Sequence, residues 1–129
     1  MFNVEVTRTN TTAICLPTGD LDATTVSTFR GAFSLCLGQP GLIVDLSGVH
    51  FVDGAGLTAL VGIVRRASEQ PTEIAVVVPP GNLRKVLGEA GLHLIVSLPE
   101  SIDLALAEIA TGNDRGIVAL GSEMPETPR

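Results

Sequence analysis

The chain has 129 residues, with eight Lys and Arg against fourteen Asp and Glu, a formal net charge of −6. A length in the range of roughly 100–200 residues fits one domain, large enough to fold without a disulfide or metal staple. Lys85 is the single lysine and neither Trp nor Tyr occurs, so the basic footprint and stacking aromatics of a direct nucleic-acid binder are missing. The longest apolar candidate, Gly54–Val64, is broken by Gly56, Thr58 and Gly62 and ends at Arg65-Arg66. It falls short of the roughly 18 residues that cross a membrane, and no secretory signal pattern is read. The expectation is a cytoplasmic protein with no membrane insertion.

In chain order, Phe2, Val4 and Val6 alternate with polar residues as a strand requires. Arg8-Thr9-Asn10 reads as a turn and Ala13–Leu16 as a second strand, which makes a hairpin. Gly19-Asp20-Leu21-Asp22 breaks the pattern, with Asp22 placed to cap a helix that carries Val26, Phe29, Phe33 and Leu37 and stops at Gly38-Gln39-Pro40. Leu42–Leu46 is a continuous apolar run, as in a strand buried on both faces. After a short loop, Asp53 is the next N-cap, before a helix with Leu57, Leu60, Val61 and Val64 on one stripe.

Ile74–Val78 repeats the doubly buried pattern, and Leu83, Val86, Leu87 and Ala90 make a third helical stripe with Gly91 at its left-handed C′ position. Leu94-Ile95-Val96 reads as a fifth strand. Ser97 and Glu100 have capping-box spacing, with Pro99 in the first turn of a last helix carrying Ile102, Ala105, Leu106 and Ile109. The order ββαβαβαβα predicts an α/β domain over residues 1–110, with a mixed five-stranded sheet, four helices and right-handed crossovers. Residues 111–129 read as a mostly irregular tail with one apolar stretch, Ile117–Leu120.

Motifs for catalysis are absent: no G-x-S-x-G, H-E-x-x-H or Walker-type loop occurs. His50 and His93 are isolated, so neither a metal nor a cofactor is expected. His50 reads as a loop residue and His93 as solvent-facing. Of Asp20 and Asp22, one is expected to cap the first helix and the other to be solvated. Cys15 and Cys36 lack metal-ligand spacing and read first as small buried hydrophobes, with a redox pair as the other reading. The stretch Asp45-Leu46-Ser47-Gly48-Val49-His50-Phe51-Val52-Asp53-Gly54-Ala55-Gly56-Leu57 is the most informative. Its small residues 54–56 either leave a helix N-terminus open to another surface or simply permit tight strand–helix packing. The residues alone favour neither.

Three segments resemble the STAS family of bacterial anti-sigma-factor antagonists: Thr18–Asp22, Asp45–Leu60 and Leu83–Leu92. The middle one is similar to the family pattern D-L-S-G-V-x-F-x-D-S-S-G-L. The resemblance, which covers residues 2–110, implies a mixed five-stranded sheet with surrounding helices. It implies a partner-swapping function: the antagonist binds an anti-sigma factor, often a histidine-kinase-like ATPase, and frees a sigma factor for transcription. Asp20, Leu21, Asp22 and Thr24, with Asp53, Gly54, Ala55, Gly56 and Thr58, are the implied contact residues. The family's ATPase phosphorylates the second serine of its D-S-S-G, and here Gly54 and Ala55 replace both serines. Ala55 has no hydroxyl, so the expectation is a constitutive antagonist. Thr58 or Ser47 as substitute phosphosites, and Cys15 with Cys36 as a redox pair, are the alternatives. A second role that the family implies is a scaffold subunit of a stress-signalling or transport assembly. A monomer or weak homodimer is expected.

Overall fold

The computed structural model describes residues 1–110; the expected tail, with Ile117–Leu120, lies outside the described residues. Strands β1 (Asn3–Arg8) and β2 (Thr12–Leu21) form the expected antiparallel hairpin. Its turn is held by the Thr9 hydroxyl, which accepts from the Thr11 and Thr12 N–H groups at 3.3 and 3.0 Å. Helix α1 (Val26–Ser34), strands β3 (Gly41–Asp45) and β4 (Gly48–Val52), helix α2 (Gly54–Ser68), strand β5 (Glu73–Val77) and helix α3 (Asn82–Glu89) follow. A last helix, α4, occupies residues 102–110.

The five strands make one mixed sheet in the order β1-β2-β3-β5, with β4 also paired to β2. All pairs except β1–β2 are parallel. The sheet is covered on both faces, which explains the continuous apolar strands. Leu42, Val44, Ile74, Val76 and Val78 pack with Phe29, Phe33, Leu60, Val64 and Leu87 from α1, α2 and α3. The alternate residues Ile43, Ala75 and Val77 pack with Ala105 and Ile109 of α4. Successive strand side chains point to opposite faces, so two apolar layers need an unbroken apolar run.

The fold class and its alternation are as expected, with local differences. The segment between β3 and α2 is not a loop: β3 pairs with Thr12–Cys15 and β4 with Thr18–Leu21 of the same neighbour. The two are one strand line interrupted at Leu46-Ser47. That neighbour, β2, runs past the expected break, through Gly19 and Asp20 to Leu21; between Gly19 and Asp20 the pairing register shifts, and Gly19 takes φ +104°. The expected strand at Leu94–Val96 is displaced. Leu92–Leu94 is a 3-10 turn, and the parallel partner of β5 is supplied by Ser97 and Pro99, whose carbonyls accept from Val76 and Val78 N–H at 2.9 Å each.

Caps differ in the same way. Helix α1 starts at Val26 rather than directly after Asp22, which instead organises the preceding turn. α4 is capped by Ser101, whose hydroxyl accepts from Leu104 N–H at 3.3 Å, while the Ser97 hydroxyl donates to Glu108. Leu37 is exposed, and the buried contact past α1 is made by Cys36. Gly91 does adopt the left-handed conformation expected at the end of α3, with φ +82°.

Candidate functional site

β2 and β4 are parallel neighbours whose last residues, Leu21 and Val52, lie side by side. Both chains then turn into helices, so the starts of α1 and α2 meet at the carboxyl edge of the sheet, the usual site of binding crevices in α/β folds. Leu21 is the hinge of this meeting. Its side chain is fully buried, and its carbonyl accepts from Asp53 N–H at 3.3 Å. A Cβ at Gly56 would lie 2.1 Å from that same carbonyl oxygen. Of the three small residues, Gly56 is therefore required for packing. Gly54 and Ala55 are exposed, and a Cβ at Gly54 would meet nothing within 4 Å. The packing reading therefore applies at Gly56, while positions 54 and 55 lie open at the helix start.

The two turns fix their own carboxylates. Asp53 Oδ1 accepts from Gly56 N–H at 2.7 Å, capping α2 as expected. Asp22 Oδ1 accepts from the Thr24 hydroxyl at 2.7 Å and the Thr24 N–H at 2.9 Å. These bonds, led by that from the Thr24 hydroxyl, hold the Asp22 carboxyl below its ordinary value. The Thr25 hydroxyl donates to the Asp20 carbonyl at 2.8 Å and accepts from Asp22 N–H at 2.9 Å, closing the turn. Asp20 is exposed, and its carboxylate has no hydrogen bond or ion pair among the described residues. It is the freest charge of the group.

The exposed face therefore comprises Asp20, Thr24, Gly54, Ala55 and Thr58, with Asp22 and Asp53 half-buried at its seam. Leu21 and Gly56, named from the sequence with these, lie beneath the face and support it. Phe51 belongs to the neighbourhood and was not singled out: it pairs with Asp20 in the sheet and is 56% exposed. An apolar residue left open on a strand end was the available signal. Thr58 stands one helical turn beyond Ala55 with its side chain exposed. Ser47 is exposed too, but it precedes β4, and the five strand residues with the steps at either end place it on the order of 20 Å from the start of α2. It does not join the face.

Cys15 and Cys36 are fully buried free thiols in one apolar cluster, and the Cys36 thiol donates to the Ala32 carbonyl at 3.8 Å. The neighbouring Cys36 thiol pushes Cys15 far above the ordinary thiol value, helped by burial. The Cys15 thiol in turn lowers Cys36, with Arg8 assisting against the opposing effect of burial. Cys15 lies beside Val44 in the sheet, six residues before Leu21, which is about 20 Å along β2 from the edge where α1 and α2 start.

The STAS domain family model matches residues 3–108. No curated protein is significantly similar in sequence. The fold is similar to an anti-sigma factor antagonist from Mycobacterium paratuberculosis, at TM-score 0.76 and 21% identity over 85% of this chain and 95% of that one. It is similar to a candidate anti-sigma factor antagonist from Thermotoga maritima, at TM-score 0.73 and 24% identity over 83% and 94% of the two chains. A sulfate transporter family protein from Wolinella succinogenes gives TM-score 0.69 and 17% identity over 80% and 88%. With 106 of its residues matched by the family model, the chain belongs to the STAS domain family.

Proposed function

We propose that this chain is an anti-sigma-factor antagonist that binds an anti-sigma factor through the face at the starts of α1 and α2, and so releases a sigma factor to transcription. The observation that carries this reading is the division of labour at residues 54–56. Gly56 locks the two turns together, while Gly54 and Ala55 leave the helix start bare for a partner's backbone to approach. Acidic Asp20, with Asp22 and Asp53 beside it, favours a partner with basic groups, which aids encounter and orientation. Competition follows when the interface, typically about 800 Å² per partner, overlaps the sigma factor's own.

Ala55 removes the hydroxyl at the family's modified position, so control by abundance is the simplest regime. The antagonist then has no off-state at this position. The test is a displacement assay with a purified anti-sigma–sigma complex. Added chain should release free sigma factor, and Asp20→Arg should weaken release while leaving the fold unchanged. Asp20→Arg is a cleaner probe than Asp22→Arg, because the Asp22 carboxylate also holds the Thr24 turn. Release that is indifferent to Asp20→Arg and to Ala55→Asp would contradict the face. A second reading, a scaffold subunit of a signalling or transport assembly, is favoured by the likeness to the Wolinella succinogenes protein and by the same missing hydroxyl. It predicts stable co-assembly and no sigma release.

A further inference from the structure

We infer that the cleft between the C-terminal halves of α1 and α2 binds a small amphipathic carboxylate, an apolar body with one anionic head group. The cleft has a volume of about 660 Å³, within the roughly 300–1,000 Å³ of small-molecule sites. Phe33, Ile63 and Ala67 form its buried apolar floor, and Leu37, 47% exposed, is left open on its wall. Leu37 extends the apolar surface of the floor to the rim, where an apolar ligand body would gain contact.

Two arginines line this cleft, Arg30 from α1 and Arg66 from α2. Both are exposed, and among the described residues neither has an ion pair or side-chain hydrogen bond. In a chain of net charge −6 with eight basic residues, two arginines on the two helices of one apolar cleft, without an ion pair among the described residues, favour an anionic head group. A guanidinium fork matches a carboxylate in bidentate geometry. Arg66 lies in the last turn of α2, where a cation also offsets the negative helix end. Arg30, mid-helix in α1, has no such role, which makes it the discriminating residue. From the start of α2 to Arg66 is on the order of 18 Å along the helix, so the cleft is separate from the proposed partner face and independent of that reading.

The experiment is a backbone amide NMR titration of the full chain with sodium decanoate below its micelle threshold, run beside 1-decanol. Saturable shifts centred on Phe33, Leu37, Ile63 and Ala67 are expected, with decanoate binding tighter than decanol. Arg30→Gln and Arg66→Gln should each weaken decanoate by about fivefold, as for an exposed charge-assisted contact, and leave decanol unchanged. Ser34→Phe, which fills the cleft from an exposed position, should abolish both. Absence of saturable shifts, shifts centred elsewhere, or equal affinity for decanoate and decanol overturns the proposal. So does unaltered decanoate binding by Arg30→Gln, a surface change that leaves the core intact.

Discussion

Gly56→Ala is the perturbation that most sharply probes how the two helix starts are joined. The added Cβ would sit 2.1 Å from the Leu21 carbonyl oxygen, 2.8 Å from its carbon and 3.3 Å from Asp22 nitrogen. All three are backbone atoms, so no side chain can swing away. Either the β2–α1 turn or the first turn of α2 must retreat by about 1 Å, and overpacking of this kind costs about 1–3 kcal/mol. The Asp53 N–H bond to Leu21, already 3.3 Å, is lost in the process, adding about 1 kcal/mol. Replacing glycine by alanine in a helix returns at most about 1 kcal/mol. Packing wins, and a net destabilisation of about 2 kcal/mol is expected. Gly54→Ala is the matched control, two residues away with open space around its Cβ; it should be neutral or stabilising by up to about 0.5 kcal/mol. Urea unfolding followed by far-ultraviolet circular dichroism suits a chain without Trp or Tyr. A loss of 2 kcal/mol lowers the midpoint by about 1 M. A Gly56→Ala midpoint equal to wild type, or equal losses at both glycines, would refute the reasoning.

Three further outcomes are expected. Arg84→Met removes guanidinium bonds to the Val78 and Leu98 carbonyls, at 2.6 and 2.7 Å, and should cost about 2–3 kcal/mol in the same unfolding assay; a cost below about 0.5 kcal/mol contradicts the clamp. Because the folded Asp22 carboxyl is lowered, chiefly by the Thr24 hydroxyl, its contribution is present above the unfolded value near pH 4 and lost as pH falls through the folded one. Asp22→Asn should therefore flatten the acid limb of stability below about pH 4, and an unchanged limb refutes the assignment. Mild oxidation with diamide should join Cys15 to Cys36 within one chain, seen as the loss of two hydrogens by mass and as protection of both thiols from alkylation after unfolding. Alkylation of both thiols in the treated protein contradicts the pairing.

What could be read from residues alone followed from burial and from local backbone chemistry. Leu42–Leu46 and Ile74–Val78 declared themselves because helices on both faces demand apolar residues at every position. Asp53 and Gly91 were legible because a cap needs an acceptor and a left-handed C′ position favours glycine. β4 was hidden because its pairing partner is the far half of β2, and a strand's partner is not written in its own periodicity. The slide from Leu94–Val96 to Ser97–Pro99 has the same cause: pairing to β5 is chosen by where α3 and its turn deliver the chain. The role of Arg84 was not legible because its acceptors are carbonyls, which no side-chain pattern reveals. At the site, the spacing of residues 53–56 was visible. That Gly56 packs and Gly54 does not required the position of the Leu21 carbonyl.

The most direct test of the antagonist reading is capture from the source organism's cells with the tagged chain and, in parallel, with a Gly54→Asp/Ala55→Asp bait. Both positions are exposed, so the pair alters the face and spares the core. Recovery of an anti-sigma factor by the wild-type bait, its loss with the double variant, and direct binding of the purified pair are expected. Capture of transport or other STAS subunits equally by both baits, with no anti-sigma factor bound, would contradict the account.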